Sequence, residues 1–346
     1  MNWQLLSKLS DTPGVSGHEE KVAEIFREKV KKYTKEITTD AMGNVIAHIP
    51  GEGPRIALDA HSDEVGFIVC YIEDNGFLRV QPLGGIDPRV FYAQRVKVWG
   101  KKPMVGVVGA IPPHLTRGKG TGKDSAVPID EVFIDTGEES SEVKRNVAIG
   151  DIVTFDSECY DSGNSLIGKA FDDRVGLFMM LEAIGVAKNI KCDLYLVAAV
   201  QEERGLRGTT CAAFGVEPEI AIALEGTVAN DLPGVPGYKR LAQQGLGPEL
   251  RITDGRMIAD RSLVSYLSNL AETNKIPHQF TVKSVGTTNA TAIQTSRKGV
   301  RVAAISIPVR YIHGPQGLVR KSDVEYGVSL VKAFLENADR ITPRSI

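Results

Sequence analysis

RIALDAHSDEVG, residues 55–66, is the stretch on which the fold of this chain turns. Ile56-Ala57-Leu58-Asp59-Ala60 has the make-up of a strand, and it ends directly on His61, with Ser62 and Asp63 behind it. In an open α/β sheet, ligands bind beyond the carboxyl ends of the strands. A histidine and an acid at such an end mark the first place to look for chemistry. From about Val65 onward the pattern changes, so the same stretch also marks a boundary.

Upstream, two helices are expected around 2–10 and 18–33, separated by TPGVSG. The second carries Val22, Ile25, Phe26 and Val30 at helical spacing. Extended chain follows near 36–49, with a turn at Met42-Gly43-Asn44. Downstream, short β-type runs such as VGFIVCYI, GFLRVQPL, QRVKVWG, MVGVVGAI and DIVTF are separated by Gly, Pro and Asp turns. Only a short helix near 138–146 interrupts them. The region 65–166 therefore reads as an inserted β-barrel or sandwich. Within it, PPHLTRGKGTGKDS, residues 112–125, lacks periodicity and reads as a mobile loop reaching towards an active site.

After Gly168 strands and helices alternate again. A helix follows Asp173, strands cover Leu194–Val200 and Ile220–Leu224, and a helix spans 260–274. The strand Val302–Ile307 precedes a last helix from about 323, where Ser322 and Glu325 form a capping-box pattern. This alternation implies an α/β fold: a mostly parallel sheet with helices on both faces and an inserted β-barrel-like domain. The α/β domain is discontinuous, 1–64 and 167–346, with the insert, 65–166, between its two parts.

Composition narrows the function classes. The chain has 346 residues, 41 basic against 43 acidic, and a net charge of −2. That balance gives no reason to expect nucleic acid or an anionic membrane as a partner. No apolar run approaches the roughly 20 residues of a membrane span, and MNWQLLSKLSDTPG lacks the layout of a signal peptide, so a cytoplasmic location is expected. Cys70, Cys159, Cys192 and Cys211 form no CxxC pair and are expected to be buried free thiols.

Five sites with metal-binding or acid–base character fall at the ends of elements of one sheet: His61 with Asp63, Asp172-Asp173, Glu202-Glu203, Glu225 and His313. Each alone is weak; surface accidents would not all collect there. Imidazole and carboxylate ligands suit zinc, cobalt or manganese rather than a thiolate site. Charge counting favours two divalent ions, whose +4 is met by −3 from Asp172, Glu203 and Glu225 and −1 from a shared hydroxide. Glu202 is then left as general base. Asp63, two residues beyond His61, would accept a hydrogen bond from the ring nitrogen turned away from the metal.

Taken together, DAHSDEVG (59–66), GKAFDDRVG (168–176), VQEERGLRG (200–208), IALEGT (222–227) and YIHG (311–314) resemble the tetrahedral aminopeptidases. These are co-catalytic metallopeptidases, also called glutamyl or deblocking aminopeptidases and sometimes named endoglucanases. The resemblance runs from TPGVSGHE to the final helix and takes in GGIDP and GVVGAIPPHL in the insert. It implies that Asp172 bridges two metals, zinc or cobalt, with Glu203 and His313 on one and His61 and Glu225 on the other. Glu202 would be the base and Asp63 the orienting residue. It also implies peptide substrates with a free N-terminus, 1–64 and 167–346 as the catalytic domain, and homo-oligomers in which the insert, 65–166, mediates dimers and dimers build a tetrahedral dodecamer. Two positions depart from the family pattern: Glu225 stands for an aspartate, and Asn289, in GTTNA, stands for another.

Two other readings compete. A deacylase or carboxypeptidase would keep the metal site and cleave a different amide. An endoglucanase needs two free carboxylates across a sugar cleft, whereas here the acids pair with histidines, and aromatic residues, at 6%, are few for sugar stacking.

Overall fold

The computed structural model describes residues 1–112 and 127–341. The chain first lays down β1 (Glu36–Thr39), β2 (Val45–Ile49) and β3 (Arg55–His61). Next come β4 (Gly66–Ile72), β5 (Leu78–Leu83), β6 (Arg95–Trp99), β7 (Pro103–Gly109), β8 (Phe133–Asp135) and β9 (Ile152–Phe155). These six close into a barrel in the order β4-β5-β8-β7-β6-β9. Then follow β10 (Tyr160–Asp161), β11 (Ser165–Gly168), β12 (Asp193–Ala199) and β13 (Ile220–Val228). The last strands are β14 (Glu249–Thr253), β15 (Gln279–Val282), β16 (Arg301–Arg310) and β17 (Gly317–Arg320).

With β1–β3, the strands after the barrel make an 11-stranded sheet whose main path is β1-β2-β12-β3-β13-β16-β17-β11-β10. Its four central strands, β12, β3, β13 and β16, are parallel neighbours. The strands flanking them, β2, β17 and β14, pair antiparallel. The α/β class with an inserted barrel is thus the observed one; the parallel character belongs to the centre, and the whole sheet is mixed.

The centre is parallel because it is buried on both faces. Residues Ile56–His61 of β3 and the first eight of β13 are all buried. On β12 the faces separate by alternation: Leu194, Leu196 and Ala198 join the main core, while Val197 and Ala199 pack with Ala212 of the helix Arg207–Val216. The helix Phe171–Val186 lies across β3 and β13, and Lys321–Glu336 packs on it in turn. The barrel has its own core, in which Phe67 meets Phe91 and Phe155 edge-on at 5.8 Å. Each such pair adds about 0.5–1.5 kcal/mol beyond the area it buries.

Several local expectations need correction. The last helix starts at Lys321, its N-cap is Arg320, and no side chain caps it, so Ser322 and Glu325 form no capping box. All four cysteines are free, but only Cys192 is buried; Cys70 and Cys211 are exposed, on a strand face and a helix face that turn outward. A short helix, Pro88–Phe91, capped by Asp87, interrupts the barrel segment ahead of β6. Residues 113–125 of the expected loop lie outside the described residues.

Candidate metal centre

His61 is the last residue of β3 and is 1% exposed. Its backbone N–H donates to Asp173 Oδ2 (3.0 Å), and its Nδ1 faces Asp63 at 3.2 Å. Asp172 enters the helix Phe171–Val186 with a non-helical backbone. Glu202 and Glu203 occupy the turn after β12, and His313 the turn between β16 and β17. Glu225 does not follow a strand, as expected, but lies within β13, which runs on to Val228. Its side chain comes from the sheet face at the strand's carboxyl half.

These side chains converge. His61 Nε2 is 3.1 Å from Asp172 Oδ1 and 3.9 Å from both Glu202 Oε2 and Glu225 Oε2. His313 Nε2 is 3.2 Å from Asp172 Oδ2 and 3.1 Å from Glu203 Oε1. Among the described residues three ligand sets close to within 4.8 Å: His61, Glu202 and Glu203; His61, Asp173 and Glu225; and Asp172, Glu203 and His313. Asp173 was expected only as the partner in an acidic pair; its position behind His61 follows from that backbone bond.

The donor set fits divalent cations. His313 Nδ1 donates to the carbonyl of Gly85 (2.8 Å), and His61 Nδ1 points at Asp63. A neutral ring in either place therefore turns its Nε2 lone pair towards carboxylate oxygens. Glu203 Oε1 is buried, and the one ring nitrogen against it, His313 Nε2 at 3.1 Å, is not aligned for a hydrogen bond among the described residues. Lone pairs packed against lone pairs repel unless protons or a cation lie among them.

Protons are the protein's own solution. Burial opposes charge on His313, but Asp172 and Glu203 outweigh it and push the imidazole up to about 11. His61 is raised well above the usual histidine range, burial being overcome by Glu202, Asp172 and Asp63. Burial lifts the Glu225 carboxyl to about 8, with His61 offsetting part of it. Burial, with Glu203, Glu225 and Asp172 adding repulsion, also carries Glu202 well above the carboxylate range. Asp172 goes the other way: burial opposes its charge, yet both histidines hold it well below that range. A cation entering the cluster must displace these protons. Adding zinc or cobalt should therefore release protons, and apparent affinity should climb as pH rises through about 8, the Glu225 value, and on towards about 11, that of His313. Titration calorimetry in two buffers of different ionisation enthalpy measures this; a proton count of zero would contradict it.

The surroundings hold this geometry. Gly84, at φ +88°, leaves room for Glu203: a Cβ there would lie 3.1 Å from Glu203 Oε2 and 2.7 Å from Val65 Cγ1. Gly84 and Gly85 belong to the barrel segment, so GGIDP touches the site without supplying a ligand. The two departures from the family pattern prove to be in contact: the Asn289 backbone N–H donates to Glu225 Oε1 (3.1 Å). Asn289 Nδ2 donates to Asp59 Oδ1 (2.6 Å), and Thr209 Oγ1 to Asp59 Oδ2 (2.5 Å). An aspartate at 289 would set two buried carboxylates against each other; the amide removes that conflict. On the far side of β16 from Glu225, Glu249 is clamped by Arg251 (2.8 Å) and Lys283 (2.6 Å). The cluster opens into a cleft of about 600 Å³ lined also by Leu206, Leu241, Ile312, Arg251 and Lys283.

Comparison with known proteins places the whole chain in a family. A family model described as M42 glutamyl aminopeptidase matches residues 43–330. The lysyl aminopeptidase of Pyrococcus furiosus is 34% identical over 342 residues, covering 97% of this chain and 97% of the relative. Among solved structures, aminopeptidase APDkam598 from the archaeon Desulfurococcus kamchatkensis matches with a TM-score of 0.93 at 37% identity, covering 99% of this chain and 98% of that one. The Pyrococcus horikoshii TET1 peptidase, which can assemble into a tetrahedron or a large octahedral shell, matches with a TM-score of 0.85 at 30% identity, covering 96% and 98%. The chain belongs to the M42 glutamyl aminopeptidase family and is a hydrolase acting on peptide bonds.

Proposed function

We propose that this hydrolase removes residues from the free N-terminus of peptides, using two divalent cations, zinc or cobalt, grouped around Asp172. The observation that carries this reading is the placement of the two Asp172 oxygens, one 3.1 Å from His61 Nε2 and the other 3.2 Å from His313 Nε2. Asp172 would be shared, with Glu203 and His313 completing one set and His61 and Glu225 the other. Bound there, such cations supply Lewis acidity to a scissile carbonyl and lower the pKa of water. Asp63 keeps the His61 proton on Nδ1, leaving Nε2 as a ligand. Glu202, with a carboxyl of raised proton affinity, takes the proton of the attacking water and passes it to the leaving amine nitrogen.

The surplus of carboxylates also selects the substrate's end. An ammonium group is drawn to them, and an amine held there presents the bond one residue away. A matched series of one short peptide with free ends, N-acetylated and C-amidated tests this. Acetylation should reduce cleavage by at least about tenfold, the scale of a lost charge-assisted contact; amidation should matter little. Equal cleavage of the acetylated peptide would support an endopeptidase or deacylase, and loss on amidation alone a carboxypeptidase.

We further propose that residues 65–166 are an assembly domain beside a catalytic domain of 1–64 and 167–346, with dimers building a tetrahedral dodecamer. The shells formed by the horikoshii relative support it. So does the outer face of β7, where Val105 and Val107 are about half exposed (49% and 48%). Replacing both with Glu should leave small species in light scattering, at unchanged secondary structure; a particle of unaltered mass would refute the role. A cytoplasmic location is in keeping with four free cysteines, and among the described residues no helix is long and apolar enough to cross a membrane.

A further inference from the structure

We infer that Glu19 is a positioning residue for Glu202, fixing the base by holding the Gln201-Glu202-Glu203 turn from behind. The inference rests on Glu202 being the base. Glu202 needs such help because its own carboxylate accepts no hydrogen bond among the described residues; its nearest charged partner is His61 Nε2, at 3.9 Å. No hydrogen bond fixes the carboxylate, so its aim depends on its backbone.

That backbone is clasped by two buried carboxylates. Glu19, 4% exposed, accepts from the Gln201 N–H (2.9 Å) and from Gly17 N–H (2.8 Å) on the same oxygen. Asp63, 0% exposed, accepts from the Glu202 N–H (3.0 Å) and the Glu203 N–H (3.1 Å), and is itself fixed by Ser16 Oγ (2.6 Å). Three successive amides thus point at two acids, and both acids are tied to the loop 14–19 that precedes the helix Glu20–Val30. The clasp opposes a strain: Gln201 sits at φ +55°, a left-handed conformation that costs a residue with a side chain about 1–2 kcal/mol. Without the Glu19 acceptor, Gln201 loses the partner of a part-buried N–H and has a reason to relax, and Glu202 swings with it. Burial and the nearby charge of Asp63 push the Glu19 carboxyl up to about 7, so the acceptor is kept at an electrostatic disadvantage.

The test compares Glu19→Ala, Glu19→Gln, Glu202→Gln and the double variant Glu19→Ala/Glu202→Gln in the full-length, metal-loaded enzyme. An aminoacyl fluorogenic substrate gives kcat and KM, and metal content and Tm are measured alongside. Glu19→Ala should lower kcat by about 10–10², the effect of misplacing a catalytic group by an ångström, with KM and metal content unchanged. Glu19→Gln, which retains the accepting oxygen, should stay within about threefold of the parent. In the Glu202→Gln background, Glu19→Ala should cost nothing further, because the group it aims is gone. Where alanine opens the packing too far, Glu19→Met, of similar volume but with no acceptor, carries the same comparison. Full kcat in Glu19→Ala, a loss of metal in it, or losses that multiply in the double variant would overturn the positioning role alone. Near-parental activity in Glu202→Gln would instead remove the base assignment, and this inference with it.

Discussion

Glu202→Gln should lower kcat by about 10²–10⁴, the usual worth of a general acid–base, while leaving fold and metal content as they were. The amide matches the carboxyl in shape, so neither packing nor the amide clasp at 201–203 is disturbed. What disappears is a group able to take up and return a proton. Glu202 suits that role on two counts: its carboxyl has a proton affinity well above that of an exposed glutamate, and it stands 3.9 Å from His61 Nε2, at the edge of the cluster and open to the cleft. Glu203, its neighbour, is turned to His313 at 3.1 Å and is committed there. Substituting Glu203 should therefore remove metal along with rate, and the contrast in metal content separates the two adjacent glutamates. Activity near the parent's in Glu202→Gln would show that the base lies elsewhere.

How much of this was legible in the sequence depends on whether the information is local. The strand running into His61, the helix opening on Asp172 and the acidic pair after β12 are each carried by a few consecutive residues, so pattern and turn chemistry reveal them. The antiparallel flanks are not local. β10 has two residues and β11 and β17 four each, too short to carry a periodicity, and each is a strand only because a neighbour offers an edge: β16 to β17, β17 to β11, and β11 to β10. Glu225 was legible as an acid of the cluster but misplaced, because Glu225 and Gly226 end the apolar run of β13 without ending the strand. That glycine is needed: a Cβ there would sit 3.0 Å from the Asp172 Cα and the Phe171 carbonyl oxygen. The groups that orient the ligands lie farthest from legibility. Gly85 is 228 residues from His313, and Asn289 is 230 from Asp59. No spacing rule links them. The Asn289 departure could be seen in the sequence, but its meaning, an amide between Glu225 and Asp59, waited for the contact.

Asp172→Asn should abolish both metal retention and turnover, a larger loss than any other single change to the cluster. The asparagine fits the space and offers an N–H₂ that donates to one histidine Nε2, so the fold is expected to survive and circular dichroism to be unchanged. Charge is the difference. Two divalent ions carry +4, and Asp172, Glu203 and Glu225 bring −3; removing Asp172 leaves two glutamates to hold a pair of dications, whose mutual repulsion is four times that of unit charges at the same distance. Among the described residues, Asp172 is also the one carboxylate with an oxygen within hydrogen-bonding distance of each of these two histidines, at 3.1 Å and 3.2 Å. Replacing one oxygen with an amide nitrogen removes an acceptor from one side and the anionic charge from both. His61→Ala or His313→Ala, by contrast, strips a ligand from one side and leaves the shared group in place, so each should retain part of the metal. After dialysis, elemental analysis should find two ions per subunit in the parent, an intermediate content in the histidine variants, and almost none in Asp172→Asn, with kcat reduced by more than about 10³, several kcal/mol of lost transition-state stabilisation. Two retained ions in Asp172→Asn would mean that the cations are held by other residues. One ion in fully active parent protein, with no gain on adding more, would mean that Asp172 serves a single cation and that the second ligand set has another purpose.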